Sequence, residues 1–401
     1  SKGMKKWKMI MCMALAGTLL AGGSFSSWAK LSDYDAETAA RLQDDKLEYD
    51  ELENLIREYN PEISYAYNQL DFSDDDTAST VRNLKDSIEK NDYKDTVKVL
   101  KEQKKQLEAM PDFEGKDAAL QELKTTIKGL ESMLDAPSTT TKATDKQLEK
   151  ARKQIDTGAR SALKGTQTLM ITYDNLRAQV QTLEKVEELQ KEALEAAKLQ
   201  AGLGMATDTG VLQAQSDLLS SQSQLDNLRN LSNNLRSQLC LLTGWKVDAT
   251  PEIGTVPAAD PSKIDTIDLT ADILKAIGNN QTLISQRHAS STKSTAAIDN
   301  RLKNIDVSEQ QLTVEMQRLY SVMQQKKVLY DAANTAYQKA LLAKGAAERQ
   351  YDLKMLSRLQ YLGAEAQFYQ AEGARKSADT ALLQAMLDYD WAVQGYVSIP
   401  Q

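Results

Sequence analysis

The chain has 401 residues, with 49 lysines and arginines against 57 aspartates and glutamates, one histidine and two cysteines. A formal charge of −8 excludes the basic surface that nucleic-acid phosphates need, and one histidine excludes a His-rich metal site. With 41% hydrophobic, 26% charged and 6% aromatic residues and only 7 prolines, the composition is that of long amphipathic helices.

Lys5, Lys6 and Lys8 precede an apolar run from Met9 to Gly22, and the small residues Ser27 and Ala29 stand just before Lys30. Residues 1–29 therefore read as an export signal with a peptidase site; an uncleaved membrane anchor is the competing reading, against which the run falls short of about 20 apolar residues. No cysteine follows Leu20-Ala-Gly-Gly23, so a lipoprotein signal is not indicated. The segment carries four lysines and no acid, so its removal would take the charge from −8 to −12. It would also leave Cys240, in an apolar stretch, without an intrachain disulfide partner; a buried thiol is expected there. Beyond residue 30 no apolar run is long enough for a spanning helix, and alternating strands of the outer-membrane barrel type are missing.

Residues 30–70 read as helix, with apolar positions at Leu47, Leu52, Leu55, Ile56 and Ile63. Asn60-Pro61 should break and restart it, with Asn60 as cap and Pro61 at the first helical position. Residues 71–145 form a highly charged insert with helices near 92–109 and 116–134, separated by Pro111–Gly115 and closed by a loop at Pro137–Thr141. The Asp74-Asp-Asp76 run lacks the spaced ligands of a calcium loop and reads as a solvated turn. The Lys101–Lys105 cluster reads as a solvated helix face. Lys146 to Gln200 is one long helix, with Leu176, Leu183, Val186 and Leu189 along one side.

A turn follows at Ala201–Gln215. Leu225, Leu228, Leu231, Leu235, Leu239 and Leu242 then recur at threes and fours, a coiled-coil seam that Thr243-Gly244-Trp245 terminates. Residues 251–261 are a proline-bearing linker. Ala271 to about Arg301 reads as helix, with a reversal near Lys303–Asp306 where Asp306 with Glu309, or Ser308 with Gln311, can cap the next helix. His288 falls on a solvated face of that segment. A long helix to Leu353, a second turn, a helix to about Gln394 and a tail at 395–401 complete the chain.

The two turns are copies. At an offset of 150 residues Met205 pairs with Met355, Thr207 with Ser357, Leu212 with Leu362 and Ala214 with Ala364; upstream, Ala193, Ala196 and Ala197 pair with Ala343, Ala346 and Ala347. The expected architecture is all-α, with long antiparallel coiled-coil hairpins in two tandem repeats: 30–250, including the insert 71–145, and 262–394.

With these residues in place, the sequence resembles the TolC-type outer-membrane efflux factor family. Asn60-Pro-Glu-Ile63 and Asn280-Gln-Thr-Leu283 match the motif that opens each half of that family. Gly204, Thr207, Val211, Leu212, Ala214 and Gln215 match its first helix–helix turn; Tyr351, Ser357, Leu362 and Ala364 match the second; Leu241-Leu-Thr-Gly244 matches the usual end of the first half. The resemblance covers most of residues 40–70 and 146–394. It implies a homotrimer forming a hollow helical tunnel, whose tips meet the hairpins of a periplasmic adaptor linked to an inner-membrane pump.

The departures are specific. Asn280 to Lys354 leaves room for two helices and no strand pair, and the insert offers no apolar face for lipid, so a barrel-less relative is expected. Lys354 stands where the family has glycine, and Gln360 and Gly363 where it has acids, so a narrow acidic gate does not carry over; Asp208 is the nearby acid of the first tip. The expected partner-binding residues are Leu203, Gly204, Met205, Ala206, Thr207, Asp208, Lys354, Met355, Leu356 and Ser357. Small residues there admit another backbone closely, while Leu203 and Met205 offer apolar knobs. The plainer reading of the same residues is turning and capping alone.

No phosphate loop, metal-ligand cluster or nucleophile elbow marks an enzyme, and no cofactor is implied. The function expected is an exported, passive conduit in the cell envelope, docked to an adaptor and an inner-membrane pump, for which an ABC-type permease is one candidate. The alternative is an extracytoplasmic coiled-coil scaffold or spacer with no transport role.

Overall fold

The computed structural model describes residues 34–74, 79–112, 116–135, 145–205, 208–246, 248–289 and 294–399. The export-signal segment 1–29 and the tip residues Ala206 and Thr207 lie outside them. In chain order the α-helices are α1 (Ala36–Gln43), α2 (Leu52–Tyr59), α3 (Pro61–Asp74), α4 (Ser79–Glu108), α5 (Lys116–Asp135), α6 (Asp145–Gly202), α7 (Asp208–Leu242), α8 (Leu269–Asn279), α9 (Gln281–His288), α10 (Thr295–Asp352) and α11 (Arg358–Val393). The only strands among the described residues, β1 (Lys46–Leu47) and β2 (Glu252–Ile253), form one short parallel pair. The expected all-α class holds, without barrel strands. Among the described residues no helix is long and apolar enough to cross a membrane.

The repeat is visible in the helix lengths. Both α6 and α10 have 58 residues, while α7 has 35 and α11 has 36. At about 1.5 Å per residue each long helix extends roughly 87 Å. The starts of α6 and α10, and those of α7 and α11, lie 150 positions apart.

The chain divides into two compact units: one holds residues up to Asp174 with Arg229–Val256, the other Asn175–Leu228 with Pro257–Gln401. In the first unit Leu47, Leu52, Leu55 and Ile56 are buried, as are Leu231, Leu235, Leu239 and Leu242 of the α7 seam. Asn60 joins its segments. Its Oδ1 accepts from the amides of Glu62 (3.0 Å) and Ile63 (3.1 Å), starting α3, and its Nδ2 donates to the Leu242 carbonyl (3.0 Å). Gly244 (φ 85°) lies against Tyr59, where a Cβ would stand 2.7 Å from the Tyr59 carbonyl oxygen. The amide of Gly254 donates to the Leu47 carbonyl (2.8 Å), binding the start of the linker to β1.

The insert helices α4 and α5 pack on each other through buried Leu100, Leu107, Leu123 and Leu130, with Lys101 paired to Glu131 at 2.5 Å. Two carboxyls fill notches at glycines of neighbouring helices: Glu62 of α3 at Gly129 of α5, and Glu122 of α5 at Gly165 of α6. Burial pushes Glu62 up to about 7 and, together with the field of Glu62, pushes Glu122 up to about 8.

In the second unit Leu312, Met316, Leu319 and Met323 of α10 share a core with Leu382, Ala385 and Tyr389 of α11, closed by Ile264, Ala276 of α8 and Leu283 of α9. Ring pairs Tyr320–Tyr389 (6.4 Å), Tyr337–Phe368 (5.7 Å) and Tyr351–Tyr361 (4.8 Å) show that α10 and α11 run antiparallel. The later part of α6 is cross-tied to α11 by Gln179 Nε2 on the Gly373 carbonyl (2.9 Å), Lys185–Glu372 (3.7 Å) and Arg358–Glu192 (2.6 Å). Asn280 repeats the role of Asn60: its Oδ1 accepts from Leu283 N (3.2 Å) and its Nδ2 donates to the Val397 carbonyl (3.1 Å). Gly395 (φ 101°) lies against the Asn279 carbonyl as Gly244 lies against Tyr59.

Three sequence expectations shift. The helix read over 30–70 is interrupted between Gln43 and Leu52 by β1 and a 3-10 turn at Tyr49–Glu51. The helix read over 271–301 is broken at Asn280, and the expected cap at Asp306 or Ser308 is not used. Ser294 caps α10 through Ala297 N (3.2 Å), and α10 runs through 303–306 because neither glycine nor proline interrupts it there. Asp306 instead accepts from Gln310 (3.2 Å), and Ser308 from Gln286 (3.1 Å).

Replacing Asn60 or Asn280 with Ala should cost about 2–3 kcal/mol each, because a cap is lost and a buried carbonyl is left without its donor; urea midpoints at unchanged slope will measure it. The raised carboxyls give a second expectation. The folded chain holds these protons more tightly than the unfolded one, so stability falls as pH rises from about 4.5 to about 8 and levels off above that. The Glu62→Gln, Glu122→Gln double variant should flatten that part of the urea-midpoint profile.

Candidate functional site

Four long helices end in the second-unit turns and the two Asn-bound joints, and all four ends use one device. The residues with positive φ among those described are Gly204, Gly244, Lys354 and Gly395, each two positions past the end of α6, α7, α10 and α11. A helix leaves its last carbonyls without partners, and a left-handed residue folds two amides back onto them. At the first turn Gly204 N donates to Ala201 O (3.1 Å) and Met205 N to Gln200 O (2.8 Å). At the second, Lys354 N donates to Tyr351 O (2.9 Å) and Met355 N to Gln350 O (2.8 Å). The same pair of bonds recurs at Gly244–Trp245 and Gly395–Tyr396.

The four caps differ in what their last residue touches. This motif ordinarily tucks an apolar residue after the left-handed position onto the helix's last turn. At the joints it does: Trp245 and Cys240 are both buried, and the rings of Tyr396 and Trp391 meet edge to face at 5.3 Å. At the turns the helix offers Gln200 and Gln350 instead, and Met205 (75% exposed) and Met355 (68%) point away. Leu203 and Leu353 beside them are equally exposed. The cross-tie of Glu192 to Arg358 places both turns at the same end of the second unit.

The expected residues thus assemble as follows. Leu203, Gly204, Met205 and Asp208 are exposed at the first turn, Asp208 as the opening residue of α7. Lys354, Met355 and Ser357 are exposed at the second, and Leu356 is half-buried. Ser357 caps α11 in a reciprocal box with Gln360 (3.2 and 3.0 Å). Leu353 was missed by sequence reading, although it is the partner of Leu203 at the 150-residue offset. Arg358 was missed too: it lies 5.6 Å from the ring centres of both Tyr351 and Tyr361 while paired to Glu192. A hydrogen bond to the Glu365 carboxylate holds the Tyr361 phenol up at about 12.

Cβ atoms built on Gly202, Gly204 and Gly363 meet nothing within 4 Å, so packing inside this chain does not demand glycine at any of them. Gly204 is required by its φ of 70°. Gly202 and Gly363 lie within helices, where glycine costs about 1 kcal/mol relative to alanine.

No protein-family model matches the chain, and no curated protein matches it. Among solved structures the chain is similar to the CmeC outer membrane channel of Campylobacter jejuni at 13% identity, over 73% of this chain and 70% of that one, with a TM-score of 0.44. It is similar to the outer membrane protein VceC of Vibrio cholerae at 14% identity, over 68% and 76%, with a TM-score of 0.41. It is similar to the outer-membrane channel OprN at 14% identity, over 92% of both chains, with a TM-score of 0.44.

Gly204→Ala should destabilise the first turn by about 1 kcal/mol, and Lys354→Gly should stabilise the second by about as much, since a side chain in the left-handed region carries that cost. Ser357→Ala should cost about 1 kcal/mol through the lost cap. Hydrogen exchange of the amides flanking each turn will read these changes locally.

Proposed function

We propose that this chain is the tip-bearing subunit of an envelope efflux or secretion assembly. It acts as a passive, homotrimeric helical conduit whose two turns dock the helical hairpins of a membrane-fusion-type adaptor joined to an inner-membrane pump, an ABC-type permease being one candidate. It is exported to the outer-membrane and periplasmic region, or to the wall region of a single-membrane cell. The observation that carries this reading is the pair of caps that leave Leu203, Met205, Leu353 and Met355 in solvent while the same cap elsewhere buries its apolar residue.

The magnitudes favour docking at several tips together. Burying four such side chains contributes roughly 6–12 kcal/mol at 1.5–3 kcal/mol each. Association costs about 4–15 kcal/mol, so one subunit alone would bind weakly and a ring of subunits would bind well through avidity.

The outer face of α10 supports a ring. Val307, Val314, Ser321, Val328, Thr335 and Leu342 recur at sevens and all are exposed, Val314 by 64%, Val328 by 67% and Leu342 by 75%. The opposite face is already used against α11. This row, apolar at four of its six positions and interrupted by Ser321 and Thr335, is surface that a neighbouring helix could cover.

Met205→Glu with Met355→Glu should abolish cross-linking to the adaptor and raise drug susceptibility while leaving the oligomer intact. Val314→Glu with Val328→Glu should break the oligomer, read by light scattering. A hollow trimer in electron microscopy supports the conduit. A monomer or a solid two-stranded coil overturns it in favour of a coiled-coil scaffold.

A further inference from the structure

The two turns share one helix cap but not one chemistry. Lys354 is the only non-glycine with positive φ among the described residues (φ 60°), and it occupies the position that Gly204 holds at the first turn. A left-handed lysine is disfavoured because its Cβ crowds the following carbonyl. Strain of this kind, where glycine would serve the backbone better, points to a use for the side chain. That use is not internal. Lys354 is exposed, makes no ion pair or side-chain hydrogen bond among the described residues, and stands between the exposed Leu353 and Met355. The neighbouring cation Arg358 is by contrast already bound to Glu192 at 2.6 Å.

Resting on the docking role proposed above, we infer that the two turns are non-equivalent docking sites and that Lys354 specifies a carboxylate in the turn of the helical hairpin seated on the second one. The flanking Leu353 and Met355 lose water when a partner docks, and Lys354 loses it with them. An ammonium desolvated without a counter-charge is strongly unfavourable, so the partner must bring an acid to that point. The first turn makes no such demand. It presents glycine at the same place, and its own charge, Asp208, stands at the start of α7, where the helix N-terminus answers it. The lysine therefore sets which partner hairpin, or which side of one, meets which turn.

The test displays a library of antiparallel helical hairpins with randomised turns and selects it against the immobilised full chain. Three forms are compared: wild type, Lys354→Gly, and the Met205→Glu, Met355→Glu double variant. Lys354→Gly keeps the backbone conformation and relieves its strain, so a purely structural lysine predicts equal or better capture. The inference predicts Asp and Glu enriched in the turns selected on wild type by about tenfold, one charge pair's worth of about 1.4 kcal/mol, and no enrichment on Lys354→Gly. Hairpins selected on wild type without acid enrichment, or with enrichment that persists on Lys354→Gly, overturn the role of Lys354 and leave tip docking standing. Failure of any hairpin to enrich, or enrichment indifferent to the methionine variants, overturns both.

Discussion

A long helix must dispose of its last carbonyls, and this chain does so four times with one left-handed residue and two reversed amides. Much of the rest follows from where those four ends fall, one in the first unit and three in the second. Two are driven inward, onto Tyr59 and Asn279, where buried asparagines bind the end of one helix to the start of another. Two are left outward, with glutamine where an apolar anchor would sit. The backbone chemistry is constant; the residue facing the cap decides whether the end is a joint or an exposed turn.

The same division runs along α10. One face, Leu312 to Met323, is consumed by α11, and the other, Val307 to Leu342, is left in solvent. This exposed apolar surface, along one side of α10 and at the turns, is what the proposed ring and docking would cover. The polar groups nearby are already engaged: Arg358 with Glu192, Lys185 with Glu372, Gln179 with Gly373. What the two turns leave exposed is therefore largely hydrophobic, Leu203, Met205, Leu353 and Met355, with Lys354 as a cation among them.

The repeat was legible in the sequence because helix length and turn residues are local properties, and the 150-residue offset survives in helix starts and in individual hydrogen bonds. Gly244-Trp245 was legible as an end for the same reason, whereas Gly395-Tyr396, its structural double, reads as a tail because residues 397–401 carry no helical pattern. The break at Asn280 was read through although Gly278, Asn279 and Thr282 are poor helix formers and the match to Asn60-Pro61 pointed to it; without a proline, what completes it is a distant partner of the side chain, the Val397 carbonyl. The reversal was placed too late because Asp306 and Ser308 have the right residue types for capping but spend their oxygens on Gln310 and Gln286. β1 and β2 are too short to show a period at all. Among the site residues, exposure of Met205 and Met355 depends on Gln200 and Gln350 five positions earlier, a relation that spacing rules for knobs do not test.

The equal length of α6 and α10 carries a consequence for how such a chain can change. Beyond the tie of Gln179 to Gly373, each residue added to one long helix moves its turn about 1.5 Å along the axis and rotates it by about 100°. A heptad lost from α6 alone would lift the first turn about 10 Å above the second, like one short leg on a stool. Both turns would remain perfectly folded, yet a flat-ended partner could rest on only one. On the docking role proposed above, the two turns stay level only when a length change in one long helix is matched in the other.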